Sequence, residues 1–105
     1  MKPIGTHNYF VYIITNKGKT VLYTGMTNSL PKRLSEHKEN QFVRPNSFTG
    51  KYKCHYLSYW ERFQYVDDAY AREKQLKGWT RGKKRALIES FNPNWRFLNE
   101  EVQED

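Results

Sequence analysis

The stretch Tyr9-Phe10-Val11-Tyr12-Ile13-Ile14-Thr15-Asn16-Lys17-Gly18-Lys19-Thr20-Val21-Leu22-Tyr23-Thr24-Gly25 holds two runs of β-branched and aromatic residues on either side of a polar, glycine-containing turn signal. Branched and aromatic side chains favour strands because they pack on a pleated surface, and Asn16-Lys17-Gly18-Lys19 has hairpin length and composition. The expectation is a β-hairpin of Tyr9 to Thr15 and Thr20 to Thr24, with Gly25 ending the second strand. A turn centred on Lys17-Gly18 would set Tyr12 directly opposite Tyr23 on one face of the ribbon. A slip of one residue would send the two tyrosines to different faces.

Beyond the hairpin, Asn28 or Ser29 can cap a helix from Leu30 to about Lys38, with Pro31 tolerated in its first turn. Leu30 and Leu34 then form one i, i+4 pair, and Arg33 and His37 a second beside it. Residues 40–51 hold Asn, Pro, Ser and Gly and read as a loop. A third strand is expected from Cys54 to Arg62. Asp67 or Asp68 would cap a helix through Trp79, and Thr80 one from Arg81 to Phe91, which stops at Asn92-Pro93. The order ββαβαα implies an α+β domain, a three-stranded antiparallel sheet flanked by three helices. The domain is expected over residues 9–98, with a loose lead-in at 1–8 and an acidic, disordered tail from Asn99.

Composition narrows the partners. The chain has 105 residues, enough for one core, and 18 Lys plus Arg against 11 Asp plus Glu. Four of the acids, Glu100, Glu101, Glu104 and Asp105, sit at the C-terminal end, so the body is more basic still and suits a polyanion. A basic surface kept for solubility is the plainer explanation of charge alone. Aromatic residues make up 16% of a chain only 37% hydrophobic, so the core must be built from rings with polar tips to place. The apolar run Tyr9 to Ile14 is too short to cross a bilayer, and no signal-like segment opens the chain, so no membrane partner and a cytoplasmic location are expected. One cysteine, Cys54, and three scattered histidines make neither a disulfide nor a structural zinc site.

Chemistry concentrates in a few positions. On a helical wheel, Val66, Ala69, Tyr70 and Leu76 share an arc, and Glu73 falls in its middle. A carboxylate on a packing face is costly unless it is paired or holds a cation. An i, i+4 ion pair with Lys77 is one explanation, and a bound metal is the other. Tyr12 and Tyr23 are ordinarily a packing pair, but their hydroxyls also offer two proton-handling groups on one face. Arg33 and His37 border the same buried stripe. Arg72, Lys74, Lys77, Arg81, Lys83, Lys84 and Arg85 set seven bases against the single acid Glu73. That run is either a solvated helix surface or a sequence-independent contact with a phosphate backbone, and the second reading is preferred.

These fragments together resemble the GIY-YIG endonuclease superfamily, in particular its small single-domain bacterial branch. Phe10-Val11-Tyr12 stands where the family has Gly-Ile-Tyr, and Tyr23-Thr24-Gly25 where it has Tyr-Ile-Gly. Leu30-Pro31-Lys32-Arg33-Leu34-Ser35-Glu36-His37 matches the helix in which Arg precedes His or Tyr by four residues. Ala71-Arg72-Glu73-Lys74-Gln75-Leu76-Lys77 resembles the segment with a single metal-binding Glu, and Asn92-Pro93-Asn94-Trp95 the ending of the small branch. Phe10 in place of Gly and Thr24 in place of Ile depart from the pattern, but neither removes a reactive group.

The resemblance implies Mg²⁺-dependent hydrolysis of DNA phosphodiesters, with Mn²⁺ as a possible substitute. Carried over by position, Tyr23 is the general base, Tyr12 positions the water, and His37 accepts a proton from a tyrosine. Arg33 neutralises the phosphate, Glu73 holds the metal, and Asn92 is a further candidate. A free tyrosine has a pKa of about 10, so positive charge must stand nearby to make it a useful base. One carboxylate suffices for Mg²⁺, which keeps several waters. No zinc finger or helix-turn-helix pattern is present to read sequence, so selectivity for branched, nicked or single-stranded DNA, or a protein partner, is expected. RNA is served equally well by backbone contacts. A role in repair or recombination is analogy with small relatives. The competing class is a non-catalytic binding module that stacks bases on Tyr56, Tyr59 or Trp60.

Overall fold

The structure, a computed structural model, describes residues 8–103. Apart from Asn8, the expected lead-in lies outside them. Three strands, β1 (Tyr9–Thr15), β2 (Leu22–Thr27) and β3 (Tyr56–Phe63), form an antiparallel sheet in the order β2-β1-β3. Four helices accompany them: α1 (Leu30–Val43), α2 (Phe48–Tyr52), α3 (Val66–Lys77) and α4 (Arg81–Phe91). The expected α+β order ββαβαα is present, with the short α2 added between α1 and β3. No helix among the described residues is long and apolar enough to cross a membrane.

The central strand β1 is buried on both faces, and its period of two divides the core. Tyr12 and Ile14 pack with Leu30, Leu34, Cys54, Leu57, Leu98 and Val102 on the α1 side. Val11 and Ile13 pack with Tyr59, Ala69, Leu76, Ile88 and Trp95 on the α3 and α4 side. The sheet is therefore the middle of three layers, each side held by aromatic and branched side chains worth about 1.5–3 kcal/mol apiece when fully buried.

The hairpin register differs from expectation by two residues. Tyr12 faces Gly25, and Tyr23 faces Ile14. A two-residue offset keeps both tyrosines on one face but sets them diagonally. The cause is a longer turn. The Asn16 side chain accepts from the backbone N–H groups of Thr20 and Val21, and Lys19 adopts a left-handed φ of 60°. Strand β2 consequently begins at Leu22 and runs through Gly25 to Thr27. Gly25 is needed inside the strand: a Cβ there would stand 2.4 Å from the Tyr12 hydroxyl and 2.5 Å from Cζ, so the Tyr12 ring lies across the bare backbone.

Other boundaries also move. Ser29 caps α1 as expected, accepting from Lys32 N–H, but the helix continues to Val43. The segment read as a loop contains α2, which Ser47 caps through Gly50 N–H. Five residues are too few to show a helical period, and the composition of the segment hid them. Strand β3 starts two residues later than expected. Helix α3 begins at Val66 after Tyr65, with no side-chain cap, so Asp67 and Asp68 are first-turn acids that favour the helix dipole. Helix α4 runs from Arg81 to Phe91 with Thr80 as its cap, as read.

The segment from Asn99, expected to be a disordered tail, is folded through Val102 as a 3-10 turn. It covers a sheet edge. Leu98 N–H donates to Leu57 carbonyl, and the Asn99 side chain bonds both Leu57 N–H and His55 carbonyl, each at 2.8 Å. Val102 then enters the core on the α1 side. An edge strand needs such cover for its unpaired backbone groups; acidity alone gave no sign of it.

Candidate active site

Tyr12, Tyr23 and His37 meet on the α1 side of the sheet. Leu30, Leu34 and His37 form the buried stripe of α1, so the same apolar spacing that docks the helix carries the imidazole inward. His37 Nε2 lies 2.7 Å from the Tyr12 hydroxyl. The Tyr23 ring stands edge-on to the imidazole, with centroids 5.5 Å apart. Arg33, one turn before His37, stays exposed beside Glu36, with Nε 3.5 Å from the carboxylate. Its charge reaches both Tyr12 and His37.

Glu73 approaches from the other layer. It sits between Ala69 and Leu76, both fully buried, and its side chain keeps only 16% exposure. Val66 and Tyr70, placed on the same arc from sequence, are instead half exposed, so the packing stripe of α3 is narrower than the wheel suggested. Glu73 pairs with Lys77 at 3.3 Å, and its charge also bears on the Tyr12 hydroxyl. The ion pair and a cation site are thus compatible: a lysine on one carboxylate oxygen leaves the other for a ligand. No cluster of three or more His, Cys, Asp or Glu suited to a metal occurs among the described residues. A single carboxylate, largely desolvated and with its charge bearing on the Tyr12 phenol, fits a hydrated Mg²⁺ and does not fit a dehydrated ion such as structural zinc.

Electrostatics set Tyr12 apart from an ordinary solvent-exposed phenol. Burial, then the neighbouring Tyr23, pushes the Tyr12 hydroxyl well above the usual range, opposed by Arg33 and aided by Glu73 and Glu36. Tyr12 is therefore a proton holder at neutral pH. Burial, then Arg33, lowers His37 to about 4, so its ring is neutral. That depression has a measurable consequence. Unfolded His37 takes a proton near 6.5 and folded His37 only near 4, so the unfolded state binds more protons in that window. Stability should rise with pH across it and fall on acidification, with His55, also lowered by burial, adding in the same direction. Urea unfolding at pH 7 and pH 5 should differ by roughly 1–2 kcal/mol, and His37→Gln should reduce the difference. An unchanged difference in that variant would refute the assignment.

Several expectations change. Asn92 is buried and fully used as a structural clamp: its amide donates to the Ser58 and Arg96 carbonyls, and its oxygen accepts from Arg96 N–H. It ties the C-terminal segment to β3, with no polar atom left for a substrate. Arg72 is not free for phosphate, because its Nε bonds Glu61 at 2.9 Å and its guanidinium lies over Trp79. Lys83 covers that ring at 4.6 Å, Arg85 lies over Trp95 at 4.7 Å, and Lys74 over Tyr70 at 5.4 Å. Arg81 caps the Thr20 carbonyl, and Lys84 is partly buried with its pKa lowered by burial and Lys77. The basic run is therefore partly structural, held by cation–π contacts. Lys74, Lys77, Arg81 and Lys83 remain exposed. Of the aromatics proposed for stacking, Tyr59 is buried against Glu61 and Trp60 packs with Phe10 and Phe91. Tyr56 packs between His55 and Phe97.

Sequence reasoning missed Thr49 and Asn40. Thr49 Oγ1 lies 3.2 Å from His37 Nδ1 and accepts from Asn40 Nδ2 at 3.3 Å. The one available signal was Ser47 as a cap, three residues before Gly50. At the site Tyr12 and His37 are buried, Tyr23 is half-buried and Arg33 is exposed. A cleft of about 590 Å³ is lined by other residues, among them Phe10, Pro31, Trp60 and Arg62.

The family model of the GIY-YIG catalytic domain matches residues 8–86. A UPF0213 protein of Clostridium perfringens is 37% identical over 81 residues, covering 77% of this chain and 83% of the relative. A UPF0213 protein of Bacillus pumilus is 34% identical over 85 residues, covering 81% and 83%. A UPF0213 protein of Natronomonas pharaonis is 30% identical over 81 residues, covering 77% and 91%. No solved structure matches the chain significantly.

Proposed function

The chain belongs to the GIY-YIG family of nuclease domains, and from that premise we propose that it is a Mg²⁺-dependent endonuclease that hydrolyses DNA phosphodiester bonds. The observation that carries the reading is the meeting of the Tyr12–His37 pair with the Tyr23 ring, where the charges of both Arg33 and Glu73 bear on the Tyr12 hydroxyl. Tyr23, on the edge strand, takes the proton of the attacking water. Tyr12, buried and protonated, holds that water by its hydroxyl. Arg33 supplies positive charge to the attacked phosphate, and its exposure leaves it free to turn from Glu36 toward a polyanion. Glu73 would hold the cation, with Mn²⁺ able to replace Mg²⁺. When bound, the metal would neutralise charge on the phosphate and leaving oxygen.

Lys74, Lys77, Arg81 and Lys83, together with Lys84 and Arg85 beside them, would contact the backbone of the nucleic acid without reading bases. The reading therefore includes selectivity by shape, for branched, nicked or single-stranded DNA, in repair or recombination in the cytoplasm, or specificity lent by a protein partner. RNA is the alternative substrate to be included in any test.

The test is cleavage of branched, nicked, duplex and single-stranded DNA and matched RNAs, with Mg²⁺ and with chelator, beside Glu73→Gln. Cleavage should require the metal and fall about a hundredfold in the variant, the scale on which a single electrostatic contact to a transition state is lost. Binding without cleavage under every metal would favour a binding module. Undiminished cleavage by Glu73→Gln would reject the assignment of that carboxylate.

A further inference from the structure

Behind His37 runs a chain of hydrogen bonds that the reading above does not use. Asn40 Nδ2 to Thr49 Oγ1 is 3.3 Å, Thr49 Oγ1 to His37 Nδ1 is 3.2 Å, and His37 Nε2 to the Tyr12 hydroxyl is 2.7 Å. His37, Thr49 and Tyr12 are each at most 5% exposed. Two elements lock the chain in place. Thr49 is fixed in α2 by the Ser47 cap on one side and by Cys54 N–H donating to its carbonyl on the other. Asn40 is in α1, one turn beyond His37.

We infer that Asn40 and Thr49 are positioning residues that set the His37 tautomer, so that Nε2–H donates to the Tyr12 oxygen and the Tyr12 proton is left to face the attacking water. The argument is a count of donors. An amide nitrogen can only donate, so Asn40 occupies a lone pair of the Thr49 oxygen. The Thr49 proton then needs an acceptor, and His37 Nδ1 is its partner among the described residues. An accepting Nδ1 carries no proton, which places the ring proton on Nε2. The opposite tautomer would leave the Thr49 proton buried without a partner, a costly state. The result reverses one role implied by resemblance: His37 gives a hydrogen bond to Tyr12 and does not take its proton. Tyr12 is thereby committed to orienting water, and base work is left to Tyr23.

The catalytic consequence rests on the nuclease reading, but the tautomer itself does not. ¹⁵N NMR of histidine-labelled protein should show His37 protonated at Nε2 and bare at Nδ1. Thr49→Val should give a mixture of tautomers, and Thr49→Ser should restore the single form. Asn40→Asp is the sharper variant. A carboxylate cannot donate to Thr49 and will accept its proton, so Thr49 must accept from His37 and the ring proton should move to Nδ1. In cleavage assays, kcat should fall about tenfold in Thr49→Val and Asn40→Asp with KM within about twofold, and Thr49→Ser should recover. A wild-type ring protonated at Nδ1, or an Asn40→Asp spectrum identical to wild type, would overturn the inference whether or not the protein cuts DNA. Shifted tautomers with unchanged kcat would overturn its catalytic half alone. Should the wild type cut nothing, the nuclease reading fails and the spectra still decide the tautomer.

Discussion

Gly25→Ala should reduce cleavage to background and destabilise the fold by about 2–3 kcal/mol, the scale of an overpacked core. Glycine stands in the interior of β2, where it is ordinarily unfavourable. What requires it is the Tyr12 ring: the missing Cβ would lie 2.4 Å from the hydroxyl oxygen, 2.5 Å from Cζ and 3.0 Å from Cε2. A flexible side-chain end could swing clear, but Tyr12 is 2% exposed and tied to His37. Any movement that admits a methyl group breaks that bond and takes the hydroxyl away from His37. The penalty therefore belongs to the pair Gly25–Tyr12. A double-mutant cycle with Tyr12→Leu, read by urea unfolding, should show most of the cost of Gly25→Ala disappearing once the ring is gone. Additive penalties would mean that the strand backbone, not the tyrosine, demands glycine here.

That pairing also explains which parts of the site were legible in sequence. The spacing of Leu30, Leu34 and His37 showed that the imidazole shares the buried stripe, because helix periodicity is a local property. Ala69, Glu73 and Leu76 behaved likewise. The strand register was not local. The alternation of residues placed Tyr12 and Tyr23 on one face, yet their offset depended on how Asn16 folds its side chain back onto Thr20 and Val21. No period records such a turn. The same holds for the bases on α3 and α4. Their number was plain, but their engagement depended on tertiary partners: Glu61 for Arg72, Trp79 for Lys83 and Trp95 for Arg85. Asn92 entered as a candidate through the resemblance alone, and its three backbone partners are tertiary contacts that no local pattern records. Thr49 and Asn40 were invisible because what matters about them is a contact between α1 and a helix too short to announce itself.

The shortness of α2 makes its position depend on one residue. Gly50→Ala should cost about 3 kcal/mol or more, because the atoms nearest the added Cβ are all backbone. It would stand 2.2 Å from the Arg44 carbonyl oxygen and 2.4 Å from that of Asn40. Both carbonyls belong to the end of α1, and that of Asn40 already accepts from Arg44 N–H, so neither can rotate away cheaply. Relief requires α2 to lift off α1, and Thr49, the preceding residue, must move with it. Loss of stability should therefore come with a local signature: His37, freed from Thr49 and more solvated, should titrate well above its present value of about 4 and toward 6.5. NMR titration of the imidazole reads this directly, in a variant still folded at low temperature. Gly82→Ala supplies the control. Nothing lies within 4 Å of that Cβ, and in a helix the change should stabilise by roughly 0.5–1 kcal/mol. If Gly50→Ala unfolds at the same urea concentration as the unaltered chain, or leaves the His37 titration in place, then α2 does not hold the imidazole and the arrangement around Tyr12 must be fixed by α1 alone.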